Sequence, residues 1–346
     1  RNDMKRYSEA KPTQSKHRKT NDENANLYED NPPNFEELAQ DNQEFAKYVF
    51  TNKSGNPSID WTDPYAVREL TYTILKKYYN VALELPIDQL CPAVPSRVNY
   101  LQWVHSIVAT NENENNALKG IDIGTGPSCI YPLLGTALYK WDFIATDIDP
   151  TSIEWAQKNI DANNLQSKIE LRKTAPEAKI LLDIVKENET FDFCVCNPPF
   201  FSDLSETGLN RNTVCTGTQN ELVTEGGEFQ FVSRIFQDSL VLKERIRWYT
   251  SWLGRKVDLK KLKAVLRDNN VVNIRHATLQ QGKITRWAIA WSFTTEGLSQ
   301  LVDSKLAPLK QKLEQSTSFT IQTQNPMPIL RIMERILKSN VLSIQA

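Results

Sequence analysis

The sequence predicts an α/β protein built around a mostly parallel β-sheet whose last strand runs antiparallel. From residue 119 onward, short β-rich segments alternate with helical ones, as in strands joined by crossover helices. The final two candidate strands are joined only by QQGKI, a connection of hairpin length that requires antiparallel pairing. Seven strands are expected, over residues 120–124, 142–149, 168–173, 191–197, 247–254, 271–279 and 285–293.

Composition divides the chain into four expected regions. Residues 1–25 are polar and basic and predict a disordered tail. Residues 26–110 place apolar residues three and four apart and predict a helical module, in which Asp63 and Pro64 form an N-cap and first helical position. Residues 111–296 hold the predicted sheet, and residues 297–346 form a C-terminal extension whose role the sequence does not indicate.

Bulk properties exclude several classes of protein. No run approaches the roughly 20 apolar residues that span a bilayer, and the first residues lack the apolar core of a secretory signal. Five cysteines without a CxxC pair and three histidines argue against a disulfide scaffold or a metal site. We expect a reducing compartment, nucleus or cytoplasm. The net charge of −1 means that any nucleic-acid contact must come from local basic patches.

Candidate ligand-binding residues follow three of the predicted strands. Gly124 and Gly126, in a GTG turn, let the backbone approach a ligand closely. Asp147 ends the next strand, about 20 residues further on, where a carboxylate accepts hydrogen bonds from ribose hydroxyls. Asp149 is a second candidate, or it only caps the next helix. Asn197 ends the fourth strand, so all these groups should meet at the carboxyl edge of the sheet.

The segment FDFCVCNPPFF predicts the chemistry. An exocyclic amine on a planar base is a poor nucleophile, and two hydrogen-bond acceptors on its N–H bonds would hold it in line with an electrophilic methyl group. The Asn197 side-chain oxygen and the Pro198 carbonyl supply such acceptors, and Pro198 and Pro199 stiffen the backbone. Phe200 can stack on the base, a contact worth roughly 1–3 kcal/mol. The base must be unpaired or flipped to reach the site.

A resemblance to one family extends from about Tyr28 to Phe293. The sheet itself is typical of class I Rossmann-like methyltransferases rather than of dehydrogenases. The motifs, in order, resemble those of the methyltransferase-like protein 16 family, which also covers bacterial large-subunit rRNA adenine N6-methyltransferases. They are NPPNFEELA, VPSRVNY, IDIGTGPSCIYPLLG, CNPPFF, EGGEFQFV and TRWAIAWSF.

The resemblance implies an RNA adenosine N6-methyltransferase that uses S-adenosylmethionine and needs no metal. Its favoured RNA is U6 small nuclear RNA at an ACAGAGA-type site, with messenger RNA hairpins as further substrates. It also implies that the N-terminal helical module helps to hold RNA, and that Arg97 grips the cofactor carboxylate. The implied cofactor-binding residues are Arg97, Gly124, Gly126, Ser128, Asp147 and Asn197, and the implied catalytic residues are Asn197, Pro198, Pro199 and Phe200.

Departures from the family concern two loops, and one shared motif has no role that the sequence explains. The segment after Phe201 is short and holds only Arg211 as a basic residue, where human-like members carry an Arg- and Pro-rich insert. The loop that gates the cofactor in the family is TAPEAKILLD here and keeps Lys179 as its one basic side chain with the expected charge. The motif Glu225-Gly226-Gly227 matches the family, but its role does not follow from the sequence.

RNA contacts are expected from basic residues after position 240. Lysines and arginines exceed acids between residues 240 and 267, with tryptophans and a tyrosine interleaved, which suits a phosphate-backbone track. The hairpin tip QQGKITR is the favoured contact, because it carries two cations close to the catalytic edge. The predicted RNA-binding residues are Arg211, Arg255, Lys256, Lys283 and Arg286.

Three alternatives remain open. A large-subunit rRNA is a second possible RNA substrate. A protein glutamine N5-methyltransferase needs the same two acceptors, although that class prefers Tyr to Phe200. A non-catalytic RNA-binding protein that keeps the fold is the third, and the intact Asn197-Pro198-Pro199-Phe200 loop argues against it.

Overall fold

A computed structural model describes residues 33–109, 117–201, 217–271, 273–282 and 284–294 of the chain. The expected basic tail and the C-terminal extension lie outside these residues, as do most of the segment after Phe201 and the side chain of Lys283.

All seven strands expected from the sequence are present in one sheet. Their order across the sheet is β5-β4-β3-β6-β7-β9-β8, numbered along the chain after the short strands β1 and β2 described below. The strands are β3 (Lys119–Ile123), β4 (Asp142–Asp147), β5 (Ile169–Lys173), β6 (Phe191–Cys196), β7 (Ile246–Leu253), β8 (Asn273–Gln281) and β9 (Ile284–Ser292).

Pairing within the sheet confirms the predicted direction of its strands. β3 pairs in parallel with β4 on one side and with β6 on the other, and β5 and β7 extend the parallel part. β9 runs antiparallel to both β7 and β8, because its tight hairpin with β8 reverses the chain. The strand order therefore reverses at β3, and the crevice at such a switch point is where α/β sheets bind ligands.

Helices cover both faces of this sheet. None of them, within the part of the chain that the structure describes, is long and apolar enough to cross a membrane. The helices are α1 (Phe35–Asp41), α2 (Gln43–Ala46), α3 (Pro64–Ile74), α4 (Val94–Val108), α5 (Ile130–Tyr139), α6 (Pro150–Ala162), α7 (Gln219–Leu222), α8 (Gly227–Leu242) and α9 (Lys256–Asp268), with a π-helical turn Leu75–Tyr79 and a 3₁₀ turn Lys243–Arg245.

The N-terminal region is helical as predicted, with one addition. A two-stranded antiparallel ribbon, β1 (Phe50–Thr51) and β2 (Pro57–Ser58), lies between α2 and α3. The sequence pattern does not reveal strands of two residues, because no alternation can develop over that length. The predicted cap is in place, since the Asp63 carboxylate accepts the N–H of Tyr65 at 2.8 Å and Pro64 begins α3.

Two apolar clusters fill the space between the helices and the sheet. One cluster contains side chains of helices α1 through α6 together with sheet residues such as Phe143 and Phe193. The other contains side chains of α8 and α9 together with sheet residues such as Ile144 and Trp291. Helix α4 packs against β7 and β8, so the N-terminal helices share the core of the sheet. Gly120 on β3 packs very closely against the Phe193 ring, because a Cβ added to it would lie 2.5 Å from Phe193 Cε2.

We predict that Gly120→Ala destabilises the fold by about 1–3 kcal/mol, the usual cost of an overpacked core. The new methyl group would collide with the ring of Phe193, which is fully buried and has no room to turn aside. Urea denaturation measures the effect. Val241→Ala, at a helix position that is 69% exposed, serves as the control and should stay within about 0.5 kcal/mol of the parent. Equal stability of Gly120→Ala and the parent would contradict the packing argument.

Candidate active site

A cavity of about 320 Å³ opens at the carboxyl edge of the sheet, beside the switch point at β3. Its volume falls at the lower end of the range of small-molecule sites. The walls come from the loops after β3, β4, β5 and β6, from the start of α4, and from the segment around α7. Every residue predicted to bind the cofactor lines this cavity: Arg97, Gly124, Gly126, Ser128, Asp147 and Asn197.

The loop after β3 exposes its backbone to the cavity. Gly124 and Gly126 adopt φ angles of +70° and +60°, which favour glycine. A Cβ added to Gly124 would meet no atom within 4 Å among the described residues, so the space above it is open to a ligand. The N–H of Thr125 donates to the Thr146 carbonyl at 2.8 Å and ties the loop to β4.

Asp147 ends β4 and faces the glycine loop. Its Oδ2 accepts the N–H of Gly126 at 2.8 Å, and its Oδ1 accepts the N–H of Asp149 at 2.9 Å. Burial raises the pKa of the Asp147 carboxyl, and these two N–H donors oppose the shift. Asp149 lines the same cavity and also caps α6, because its Oδ2 accepts the N–H of Ser152 at 2.9 Å.

Arg97 is a buried cation in the first turn of α4. Only 8% of the residue is exposed. Its Nη1 donates to the Tyr131 hydroxyl at 3.1 Å, and its guanidinium carbon lies 5.2 Å from the centroid of the Trp252 ring. Its Nε has no hydrogen-bond partner within the described residues. A buried guanidinium with unused donors on the cavity wall is suited to bind a carboxylate.

Asp122, the fourth of the five residues of β3, is an electrostatic feature that the sequence prediction missed. The residue is fully buried, and neither carboxyl oxygen finds a hydrogen-bond partner of good geometry in the described part of the chain. Burial raises the pKa of Asp122 to about 7, while the nearby Thr125 hydroxyl and the Arg97 charge oppose that shift. The signal was available, because an acidic residue inside the apolar strand GIDIG needs a cationic or hydrogen-bonding neighbour.

The loop after β6 places a free acceptor at the cavity. Asn197, Pro198 and Pro199 all line it. Asn197 Oδ1 is buried and has no partner among the residues that the structure describes. Phe200 is absent from the cavity wall, and its ring packs on Gly254 at the end of β7. An unsatisfied buried amide oxygen is costly, so this geometry favours a ligand that donates to it.

Phe201 anchors the far end of this loop. It forms a single parallel bridge with Val223, in which the Phe201 N–H donates to Leu222 and the Phe201 carbonyl accepts from Thr224, both at 3.0 Å. The segment that carries α7 is thereby held over the cavity.

Glu221, on α7, closes the cavity from this segment and gave no sequence signal. Its Oε2 accepts the N–H of Leu90 at 3.2 Å and that of Thr218 at 2.9 Å. Burial raises the pKa of Glu221. The loop of residues 174–180, which includes Lys179, also lines the cavity.

The predicted RNA-binding residues fall into three groups. Arg286, on β9, is half-buried, with its guanidinium carbon 5.9 Å from the centroid of the Phe200 ring. Arg255 and Lys256 are exposed where β7 leads into α9, and Arg255 Nε is 2.7 Å from Asp258 Oδ2. Arg211 and the side chain of Lys283 lie outside the described residues. No group of three or more metal-ligating side chains occurs in the described ranges.

Comparison with known sequences identifies related proteins. Residues 17–295 match the model of a family described as RNA methyltransferase. The RNA N(6)-adenosine-methyltransferase mettl16 of Xenopus laevis is 42% identical over 325 residues, which are 90% of this chain and 57% of the relative. The U6 small nuclear RNA (adenine-(43)-N(6))-methyltransferase of Dictyostelium discoideum is 41% identical over 323 residues, which are 81% of this chain and 57% of that relative. The chain thus spans a little under three fifths of these relatives.

Comparison with solved structures gives the same group. The human Mettl16 catalytic domain in complex with the MAT2A 3′UTR hairpin 1 is similar at a TM-score of 0.72 and 41% identity, over 78% of this chain and 95% of that one. The N-terminal domain of human METTL16 in complex with SAH is similar at a TM-score of 0.67 and 40% identity, over 78% of this chain and 97% of that one.

We predict that Asp122→Asn stabilises the ligand-free protein at alkaline pH. The pKa of Asp122 in the folded protein is raised to about 7 from its ordinary value of 3.8. The contribution of Asp122 to the free energy of unfolding is therefore fully present below pH 3.8 and is lost as pH rises through 7. Asn keeps the shape without the charge, so the gain should be on the order of 1–4 kcal/mol at pH 8 and vanish toward pH 4.

Thermal unfolding of both proteins between pH 4 and pH 8 measures this difference. The exposed residue Asp88 offers a control, since Asp88→Asn should shift the melting temperature little at either end of the range. A gain for Asp122→Asn that is largest at acidic pH would show that the burial argument has the wrong sign.

Proposed function

Because the chain belongs to the RNA methyltransferase family that includes METTL16, we propose that it transfers a methyl group from S-adenosylmethionine to the N6 amine of an adenosine in structured RNA. The observation that carries this proposal is the buried Asn197 Oδ1 on the cavity wall, which has no hydrogen-bond partner among the described residues. An acceptor in that position, backed by two prolines, matches the need of an exocyclic amine that must be oriented rather than deprotonated.

The polar groups of the cavity fit the charges of S-adenosylmethionine. Arg97, on the cavity wall, would bind its carboxylate. The Asp122 carboxyl is fully buried and does not line the cavity, so it would act on the ammonium group only through its charge. Asp147 would accept hydrogen bonds from its ribose hydroxyls, as carboxylates at this position of Rossmann-type sheets do. The open backbone at Gly124 would allow close approach. When bound, S-adenosylmethionine supplies an electrophilic methyl group on a sulfonium sulfur.

The chain's own residues orient the nucleophile. Asn197 Oδ1 accepts one N–H of the adenine amine, and the Pro198 carbonyl accepts the other. These two hydrogen bonds point the nitrogen lone pair toward the cavity. Phe200 stacks on the base and keeps its plane fixed. The alkylated amine loses its proton readily, so the site requires no strong base.

U6 small nuclear RNA is the substrate we propose, at an adenosine in an ACAGAGA-type sequence. The name of the Dictyostelium relative supports U6, and the human complex with a MAT2A hairpin supports messenger hairpins as a second RNA class. Arg286 supports base binding, because its guanidinium lies beside the Phe200 ring. Arg255, Lys256, Lys283 and Arg211 stay predictions, and so does a location in the nucleus or cytoplasm.

Incubation with labelled S-adenosylmethionine and a U6 transcript tests the substrate. We expect label in the transcript and a loss of at least about tenfold when the target adenosine of ACAGAGA is changed, because the site requires a free N6 amine. A large-subunit rRNA fragment and a glutamine-containing peptide are run beside it. Equal labelling of the two U6 transcripts would refute the assigned position, and preferential labelling of the rRNA or the peptide would favour those alternatives.

We predict that Asn197→Ala lowers kcat for methyl transfer by about 10²- to 10³-fold, the usual cost of removing one acceptor or donor that orients a reacting group. Binding of S-adenosylmethionine should change little, since Arg97 and Asp147 remain. Single-turnover transfer and calorimetric titration of the cofactor separate the two effects. The exposed Asn269 supplies the control Asn269→Ala. Retained turnover in Asn197→Ala would rule out the acceptor role.

A further inference from the structure

The motif Glu225-Gly226-Gly227 builds a turn that favours glycine. Gly226 and Gly227 have φ angles of +73° and +65°, and a Cβ on Gly226 would lie 2.7 Å from Gln230 Cβ. The turn begins α8 and puts Glu228 in its first helical turn, pointing inward. The glycines therefore serve to bring Glu228 into the interior.

Glu228 is a fully buried carboxylate with both oxygens in use. Its Oε2 accepts the N–H of Gly254 at 2.6 Å, and its Oε1 accepts the N–H of Arg255 at 2.9 Å. These two consecutive amides form the end of β7 and the start of α9. The side chain thus fixes the backbone at the carboxyl edge of the sheet, in the same way that a carboxylate fixes a helix N-terminus.

Gly254 in turn supports the ring of Phe200. A Cβ on Gly254 would lie 3.1 Å from Phe200 Cδ1 and 3.3 Å from Glu228 Oε2. Gly254 therefore lies between Glu228 and the Phe200 ring, and a methyl group there would require one of these neighbours to shift by a few tenths of an ångström. The hydrogen bonds that Glu228 accepts from Gly254 and Arg255 hold this backbone in place, so a displacement of Gly254 would reach the ring directly.

We propose that Glu228 is a positioning residue for methyl transfer, holding Gly254 so that the Phe200 ring meets the target base at a fixed height. The proposal rests on the function proposed above. Glu228 does not touch the base and acts through Gly254.

Burial and the neighbouring Asp258 disfavour the ionised form of Glu228, and two arginines lie nearby. Asp258 on α9 faces it and is also buried, Arg255 pairs with Asp258, and Arg286 lies on the neighbouring β9. Burial, reinforced by Asp258, raises the pKa of Glu228 to about 7. A carboxylate maintained at such a cost is typical of sites where geometry matters for function.

Glu228→Gln tests the proposal with the shape of the side chain kept. Its amide nitrogen cannot accept from a backbone N–H, so one of the two hydrogen bonds is lost. We expect kcat for transfer to the U6 transcript to fall about 10- to 100-fold, as for a small misplacement of a reacting group. The Kd of S-adenosylmethionine should stay within about twofold. The control is Glu225→Gln, which removes an exposed charge from the same motif.

A second readout needs neither RNA nor turnover. 4-Fluorophenylalanine placed at position 200 reports the surroundings of the ring by its ¹⁹F resonance. We expect Glu228→Gln to shift or broaden that resonance and Glu225→Gln to leave it in place. If the parent protein methylates no RNA while the resonance responds, the proposed function fails and the positioning contact stands. An unchanged resonance in Glu228→Gln overturns the positioning role.

Gly254→Ala provides an independent route to the same ring. Its methyl group pushes directly on Phe200, so it should lower kcat with little effect on cofactor binding. Because both changes act through one contact, the double variant Glu228→Gln with Gly254→Ala should lose less activity than the product of the two single losses. Full activity of Gly254→Ala, or losses that multiply, would contradict the proposal.

Discussion

Parallel pairing of β3 with both β4 and β6 is the constraint on which the site depends. Parallel strands end at the same edge, so three turns that are far apart in the chain open onto one crevice. Gly124, Asp147 and Asn197 each need only to follow their own strand in order to meet. The antiparallel β9 then brings Arg286 to the same edge from the opposite direction.

The site contains several buried polar atoms that lack a hydrogen-bond partner among the described residues. Asp122, Arg97 and Asn197 each bury atoms that have no hydrogen-bond partner in the described residues, and such atoms typically cost 1–3 kcal/mol or more each, about the range of a typical mutation. Burial of the apolar clusters on the two faces of the sheet offsets this free-energy cost. Arg97 and Asn197 line the cavity, so a carboxylate and an N–H donor brought there by ligands would satisfy their free atoms.

The sequence predicted what depends on neighbouring residues and on strand direction. The seven strands, the Asp63 cap and the alignment of the Gly124 turn with Asp147 all follow from short patterns. Contacts between distant segments did not, because periodicity carries no information about them. Glu221 meets Leu90 across 131 positions, and Glu228 meets Gly254 across 26, which no pattern reveals. Asp122 is an intermediate case. The sequence shows an acidic residue within an apolar strand, but it does not show that the carboxyl lacks hydrogen-bond partners in the described residues.

The bridge between Phe201 and Val223 fixes both ends of the connection between these two residues. The two residues are held together by backbone hydrogen bonds, so the chain that joins them starts and returns at a fixed place. The free-energy cost of closing such a connection rises by only about 0.6 kcal/mol for each doubling of its length. Insertions and deletions between these anchors therefore cost little stability, so this connection can change in length while the loop after β6 keeps its place.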